Sequence, residues 1–155
     1  MSYLCEITSQ PAQPTLSVRT RAAVQDLPAT MGRCFGEIVT YVTTLGGQLV
    51  GPAYAAHFNM DMADLDAEIG FGLAGPLPGQ GEIAATWLPG GQVASTVHEG
   101  PYDGVGPAYE ALTAYVQAQG RQPTGVAYEY YLNDSSQLNE PPRTRVVVPL
   151  VAQAA

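Results

Sequence analysis

Two segments of the chain carry apolar residues at the i, i+3, i+4, i+7 spacing of one helix face. In the first segment these residues are Met31, Cys34, Phe35, Ile38, Val42 and Leu45. In the second they are Val105, Ala108, Tyr109, Leu112 and Val116. We therefore predict two helices. One begins at an N-cap Thr30 and ends at Gly46 and Gly47, and the other covers residues 103–119 and ends at Gly120.

Elsewhere, apolar residues alternate with polar ones or form short runs rich in branched and aromatic side chains, which is the pattern of β-strands. The predicted strands cover residues 3–9, 15–23, 50–58, 65–73, 82–87, 93–98, 125–133 and 144–150. Alternate side chains of a strand share a face, so Glu129 and Tyr131 lie on the same face as Ala127. Tyr128 and Tyr130 lie on the opposite face. This strand therefore places one carboxylate among three tyrosines.

The two predicted helices and the strands that follow them form an internal repeat with an offset of 74 residues. Nine of the 29 positions in residues 31–59 are identical to their counterparts, where composition alone gives about two or three. We predict an α+β fold of two pseudo-twofold strand-helix-strand-strand units, about 15–74 and 91–150, in which one antiparallel sheet carries both helices. The whole chain, residues 1–155, is then a single domain.

The repeat predicts an asymmetric site. Glu129 and Tyr131 of the second copy correspond to Ala55 and His57 of the first copy. No basic residue lies between positions 121 and 143, and a carboxylate on an aromatic strand is costly to remove from water without a partner. Glu129 is therefore either an edge-strand glutamate that faces water or a carboxylate that pairs with a cationic, apolar ligand.

Charge and composition exclude several classes of function. The chain has six arginines, no lysine and fourteen acidic residues, for a formal net charge of -8, and it has no basic cluster, so direct nucleic-acid binding is not expected. Cys5 and Cys34 show neither metal-ligand spacing nor a disulfide framework, so we expect no metal and no cofactor. The G-x-G-x-x-G-like residues 70–75 are followed by Pro76 rather than by a helix, which excludes a dinucleotide site.

The beginning of the chain has neither the basic start nor the apolar run of a signal peptide. No stretch approaches the ~18 consecutive apolar residues of a membrane span. We expect a cytoplasmic protein without membrane contact. The first predicted strand begins within a few residues of Met1, so we also expect no DNA-binding domain ahead of it.

Several short motifs in fixed order resemble a known family. They are Val97-His98-Glu99-Gly100-Pro101-Tyr102, Tyr109 with Leu112, Gly125, Tyr128-Glu129-x-Tyr131, Asn133-Asp134, and Thr144-x-Val146-x-Val148-Pro149. In order and spacing the chain resembles the GyrI-like small-molecule-binding domain, which is also the effector-binding domain of AraC-type and MerR-type transcription regulators. The resemblance covers about residues 15–150.

The resemblance implies a pocket for lipophilic, often cationic or aromatic compounds. The pocket glutamate of the family corresponds to Glu129. Its aromatic wall corresponds to Tyr131, Tyr102 and Tyr109. No cofactor is implied.

Three further residues join the predicted ligand site on weaker grounds. Trp87 precedes a Pro-Gly-Gly turn and is either a core anchor or a partly exposed pocket wall. A histidine without cysteine or acidic partners at metal-ligand spacing is more often structural, and this applies to both His57 and His98. His57 and Ala55 are nevertheless included in the predicted site, because they occupy the strand face that carries Glu129 in the other copy.

The sequence leaves three functions open. The first is a stand-alone binding protein for lipophilic cationic or aromatic compounds, acting as a sensor or by sequestration. The second is a hydrolase that opens electrophilic cyclopropane-type toxic compounds, with Glu129 as general base and Tyr131 or Tyr102 polarising the leaving group. The third is a protein-interaction inhibitor of a DNA-handling enzyme, with a protein partner or homodimer. The ligand itself cannot be named from the sequence.

Overall fold

The computed structural model describes residues 3–101, 104–132 and 142–152. Within these residues the chain forms two helices and eight strands. In chain order they are β1 Glu6–Gln10, β2 Gln13–Ala22, α1 Leu27–Leu45, β3 Leu49–His57, β4 Leu65–Leu73, β5 Ile83–Leu88, β6 Gly91–Glu99, α2 Gly106–Ala118, β7 Ala127–Tyr131 and β8 Arg143–Pro149.

The chain divides into two compact units. The first unit is residues 12–89, and the second unit is residues 1–11 together with residues 90–155. The first unit contains β2-α1-β3-β4 and the second contains β6-α2-β7-β8, so each has the predicted strand-helix-strand-strand order. Each unit also has one additional strand, β5 or β1. The predicted α+β class with antiparallel strands and two helices is confirmed.

In the first unit the strands pair in the order β3-β4-β2-β5, and every pair is antiparallel. Ile69 of β4 lies opposite Val18 of β2 and Ala55 of β3, so these three side chains share a face. Phe71, two residues further along β4, lies on the same face and meets Phe35 of α1 edge to face, with ring centroids 5.3 Å apart. This apolar face is therefore the one that α1 covers.

In the second unit the strands pair in the order β1-β6-β8-β7, again antiparallel throughout. The helix α2 buries its apolar face against β6, β8 and the residue that follows β8. The buried members of this core are Ala94, Ala108, Leu112, Val116, Val146 and Leu150. Tyr109 of α2 is half-buried at the border of this core.

The predicted start of α1 is wrong by one turn. The helix begins at Leu27 with Asp26 as its N-cap, and Pro28 lies in the first turn, where a proline is favoured because its missing N–H has no partner in any case. The backbone N–H of Thr30 donates to the Asp26 carbonyl, so Thr30 is inside the helix. The predicted stop is confirmed, since Gly46 has a φ of 70°, a left-handed conformation that glycine adopts at little cost.

Candidate ligand-binding site

Glu129 is buried, with only 3% of its surface exposed. It lies on β7 opposite Val146 of β8, and Val146 belongs to the core under α2. Because paired residues of antiparallel strands point to the same face, the Glu129 side chain also lies on the α2 side. This burial excludes the alternative in which Glu129 is a solvated residue of an edge strand.

Two phenols donate hydrogen bonds to the Glu129 carboxylate. The Tyr109 hydroxyl, on the inner face of α2, donates to Oε2. The Tyr131 hydroxyl donates to Oε1 at an O···O distance of 3.1 Å. Tyr131 reaches the carboxylate because it is two residues further along the same strand face. Tyr109 reaches it from α2, where it lies beside Ala108 and Leu112, the buried residues that face the sheet. Each carboxylate oxygen thus has a neutral O–H donor.

The structure therefore brings together three of the residues predicted for the site, Glu129, Tyr131 and Tyr109. The other described ones belong to the first unit. Ala55 is fully buried on β3, and His57 is buried at the end of the same strand. Trp87 lies on β5 with 59% of its surface exposed. Tyr102 lies outside the described residues.

The repeat shows why only one unit carries this cluster. The first-unit counterparts of Tyr109, Glu129 and Tyr131 are Phe35, Ala55 and His57. Phe35 makes an apolar edge-to-face contact in place of a hydroxyl hydrogen bond, and Ala55 has no polar side-chain atom. The same backbone position is therefore an apolar packing site in the first unit and a carboxylate site in the second.

A second carboxylate–phenol pair in the first unit was not predicted as a candidate site. The Tyr54 hydroxyl donates to Glu68 Oε2 at 2.7 Å, and Tyr54 is fully buried. Burial raises the pKa of the Tyr54 phenol well above its ordinary value, and the charge of Glu68 adds to the rise. The Glu68 side chain is half-buried.

Hydroxyl side chains surround this pair on the sheet face opposite α1. Thr86 Oγ1 lies 2.6 Å from Thr15 Oγ1 and 2.8 Å from Ser17 Oγ. A Cβ atom at Gly70 would lie 3.0 Å from the Tyr54 hydroxyl, so the phenol depends on the glycine of β4 for its space. In the sequence, Thr15 and Ser17 alternate with the apolar residues of β2, and this alternation was the signal for the hydroxyl cluster. The chemistry of the cluster is that of a satisfied polar network.

A groove of about 730 Å³ runs along α1 in the first unit. Its lining includes one helix stripe, Gly32, Gly36, Thr40 and Thr44, together with Gln80, Glu82 and Ile83. These stripe positions differ from the buried face of α1. The groove contains none of the predicted site residues.

Within the described parts of the chain, no group of three or more histidine, cysteine or acidic side chains is placed to hold a metal ion. Neither α1 nor α2 combines the length and the apolar character that crossing a membrane requires.

Two strand-helix-strand-strand units, one with a buried carboxylate between phenols, define a tandem-repeat α+β domain. The model of the family described as the GyrI-like small molecule binding domain matches residues 5–151, and the chain belongs to that family. The resemblance found in the motifs is therefore confirmed. No curated protein matches the chain in sequence.

Several solved structures share the fold. The chain is similar to the EcmrR C-terminal domain, with a TM-score of 0.83 and 19% identity over 97% of this chain and 99% of that one. In the EcmrR–DNA complex the same likeness, at a TM-score of 0.82 and 18% identity, covers 96% of this chain and 57% of the EcmrR chain. The chain thus spans little more than half of that regulator.

Two further neighbours have different descriptions. The protein SAV2435, solved bound to tetraphenylphosphonium, has a TM-score of 0.64 and 13% identity over 97% of this chain and 94% of that one. A hydrolase from Listeria innocua has a TM-score of 0.62 and 14% identity over 95% of this chain and 91% of that one. At these identities the likeness shows the fold alone.

Proposed function

We propose that the Glu129 cluster binds lipophilic compounds that are cationic or aromatic, and that the protein acts as a sensor of such compounds or sequesters them. The observation that carries this proposal is the burial of a carboxylate whose two oxygens both accept hydrogen bonds from phenols. Family membership supplies the small-molecule-binding class. The preference for cations rests on the chemistry of Glu129.

A buried carboxylate has lost the water that solvates its charge. Phenol donors replace part of that solvation but leave a negative charge in a region of low dielectric, where a cation is attracted much more strongly than in water. Aromatic faces add about 0.5–2 kcal/mol for each cation–π contact. A ligand with a positive centre inside an apolar body therefore gains from the attraction to the carboxylate and from cation–π contacts. A neutral aromatic ligand gains only from packing.

The phenols hold the Glu129 carboxylate in place. An ionised carboxylate has about four lone-pair sites, and Tyr109 and Tyr131 each donate to a different oxygen. The cluster is thus preorganised, because the carboxylate orientation is fixed before a ligand arrives. The neighbour bound to tetraphenylphosphonium makes that lipophilic cation a suitable probe.

The test is a calorimetric titration of native protein and Glu129→Gln with tetraphenylphosphonium and with neutral triphenylphosphine oxide. The substitution keeps the size of the side chain and removes its charge, so the affinity for the cation should fall about tenfold or more while that for the neutral compound stays within about threefold. Glu68→Gln is the matched control, since it removes the other carboxylate that accepts from a tyrosine. An equal loss for both compounds, or no loss for the cation, would show that Glu129 is not the counter-charge.

A hydrolase function is the second candidate, and the convergence of phenol O–H groups on a carboxylate favours it. Glu129 would take a proton from water as the water oxygen bonds to one ring carbon and the adjacent ring C–C bond breaks. The electron pair of that bond goes to the departing carbon and its electron-withdrawing substituent, where the Tyr131 hydroxyl donates a proton. Mass spectrometry of an electrophilic cyclopropane incubated with the protein discriminates the two functions. A hydrolase product gains the mass of one water, whereas a binding protein returns the compound unchanged.

We infer that this chain alone does not contact nucleic acid. The net charge of -8 and the absence of a basic cluster in the sequence disfavour direct contact with DNA. A relative occurs within a regulator solved on DNA. Gel-shift assays with and without tetraphenylphosphonium should show no complex between this chain alone and duplex DNA.

A further inference from the structure

His98 is buried on the same sheet face as the Glu129 cluster. It lies on β6 with 5% of its surface exposed. His98 is opposite Thr144 of β8, and Thr144 is opposite Tyr131 of β7, so the three side chains form one row across the sheet. With strands about 4.8 Å apart, His98 is roughly 10 Å from Tyr131 along that row. It is too far to contact the carboxylate directly.

Both ring nitrogens of His98 have hydrogen-bond partners. Nδ1 lies 3.0 Å from the Tyr3 hydroxyl, and Nε2 lies 3.0 Å from the Pro101 carbonyl oxygen. A carbonyl only accepts, so Nε2 carries a proton and donates to Pro101. The ring thus uses its Nε2 donor on the backbone of Pro101.

The Pro101 carbonyl is also a partner of the backbone just ahead of α2. It accepts a second hydrogen bond from the Gly104 N–H at 3.0 Å. A Cβ atom at Gly104 would lie 3.7 Å from His98 Nε2, so the ring packs directly on that glycine. His98 therefore holds the chain two residues before the first residue of α2.

The start of α2 has a proline, Pro107, in its first turn but no side-chain cap. Its N-cap residue is Val105, which makes no side-chain hydrogen bond to the helix, and no acidic residue lies in the first turn. Helices usually begin at Ser, Thr, Asp or Asn, whose side chains bond the first free N–H groups. A contact from another element can supply part of what this missing cap would contribute, and His98 is placed to make it.

We propose that His98 is a positioning residue for the Glu129 site. Through Pro101 and Gly104 it sets the rotation and depth of the first turn of α2. Tyr109 lies at the end of that turn, with its backbone N–H directed to the Val105 carbonyl, and its hydroxyl donates to Glu129. The ligand-binding consequence rests on the proposed function, whereas the effect on α2 does not.

Two substitutions separate this role from simple packing. In His98→Gln the side-chain amide nitrogen reaches the region of Nε2 and can still donate to Pro101. In His98→Asn the amide reaches only the region of Nδ1, so the partner on the Tyr3 side is retained and the donor to Pro101 is lost. Tyr41→Phe, which removes a hydroxyl bonded to the Pro78 carbonyl in the first unit, is the control for loss of an exposed hydrogen bond.

The first measurement is amide hydrogen exchange without ligand. His98→Asn should accelerate exchange of the amides of Gly104, Ala108 and Tyr109 about tenfold, with the last turn of α2 unchanged. His98→Gln and Tyr41→Phe should stay within about threefold of the native protein. In the native protein, ¹⁵N shifts should show a proton at Nε2. A ring without a proton at Nε2, or equal exchange in the Gln and Asn variants, would overturn the proposal.

The second measurement is titration with tetraphenylphosphonium. His98→Asn should weaken binding about three- to tenfold, and His98→Gln should restore most of the affinity. If the native protein does not bind this cation, the proposed function fails at that point, while the exchange data still decide the positioning role. If exchange responds as expected and the affinity does not, the link from α2 to the site is wrong.

Discussion

At the scale of residues, the chemistry depends on which donors surround a carboxylate. Glu129 accepts from two phenols and Glu68 accepts from one. Hydrogen bonds to a charged acceptor contribute about 1.5–3 kcal/mol, roughly twice the value for neutral pairs. The phenols are therefore part of what makes a buried charge tolerable. The proposed cationic ligand would pair with the carboxylate that these phenols hold.

Replacement of Tyr109 by phenylalanine tests this account. Tyr109→Phe removes one of the two donors to Glu129, and the free energy of unfolding should fall by about 1–3 kcal/mol. Tyr131→Phe should cost less, because its hydroxyl is 3.1 Å from Oε1. Urea denaturation measures both. Tyr41→Phe, which loses an exposed hydrogen bond, should change stability by less than about 0.5 kcal/mol, and an equal effect of all three would contradict the special role of the carboxylate.

The ion pair on β2 and β4 predicts a pH dependence. Arg19 makes two hydrogen bonds to Asp66, at 2.6 and 2.8 Å, and they hold the pKa of Asp66 below its usual value. The stabilisation is therefore present above the unfolded-state pKa of about 3.9 and is lost as the pH falls through the lower folded-state value. Asp66→Asn should reduce stability at neutral pH and have little effect near pH 2, as measured by denaturation at both. Glu110→Gln, at an exposed position on α2, should change stability little at either pH.

Contacts between residues could be predicted from the sequence only where the strand or helix period determines which side chains share a face. Alternation along β7 placed Tyr131 beside Glu129, and the helix period placed Tyr109 on the inner face of α2. The pairing of Tyr54 with Glu68 was missed, because it depends on the register between β3 and β4, and no single-strand pattern encodes that register. The His98 contacts were missed for the same reason, since Tyr3 is far away in the sequence.

At the scale of elements, the helix ends show what local sequence controls. Gly46 ends α1 in a left-handed conformation that the glycine pair made predictable. The start was not predictable in the same way, because neither Asp26 nor Val105 makes a side-chain cap. Pro28 lies in the first turn of α1, ahead of Thr30, and Pro107 lies in the first turn of α2. A helix end that depends on backbone conformation can be predicted from the sequence, whereas a helix end that depends on residues distant in the sequence cannot.

Two glycine-to-alanine substitutions in α1 should have opposite effects. At Gly46 and at Gly36 an added Cβ meets no atom within 4 Å, so neither change creates a clash. Gly46→Ala forces a side chain into the left-handed region and should destabilise by about 1 kcal/mol. Gly36→Ala lies within the helix and should stabilise by about 0.5–1 kcal/mol. Thermal or urea denaturation measures both, and changes of the same sign would show that backbone conformation is not the deciding factor.

At the scale of the whole molecule, one supersecondary unit occurs twice with different contents. The repeat and the α+β class were predictable, because nine identities at a fixed offset and two helix periods are long-range signals. The difference in polar side chains between the two units was predictable only in part. Position 129 holds a carboxylate where position 55 holds alanine, but the hydroxyl cluster around Tyr54 emerged only from the structure.

Transfer of the site into the first unit tests whether the two units are chemically equivalent. Ala55→Glu places a carboxylate against an apolar helix face and should cost about 3 kcal/mol or more of unfolding free energy. Adding Phe35→Tyr and His57→Tyr recreates the donors of the second unit and should recover at least about 1 kcal/mol, as measured by a mutant cycle in urea. Additive losses without recovery would mean that the carboxylate site depends on features particular to the second unit.

The contrast between Phe35 and Tyr109 has an evolutionary consequence. The Phe35 and Tyr109 side chains differ by one oxygen atom. The Phe35 ring packs against another aromatic ring, whereas the Tyr109 hydroxyl donates to Glu129. If the repeat arose by duplication, a few side-chain changes distinguish the packing half from the half proposed to bind a ligand. Diversification within such a lineage should then concentrate around Tyr109 and Glu129, while the Phe35 half drifts under selection for folding alone.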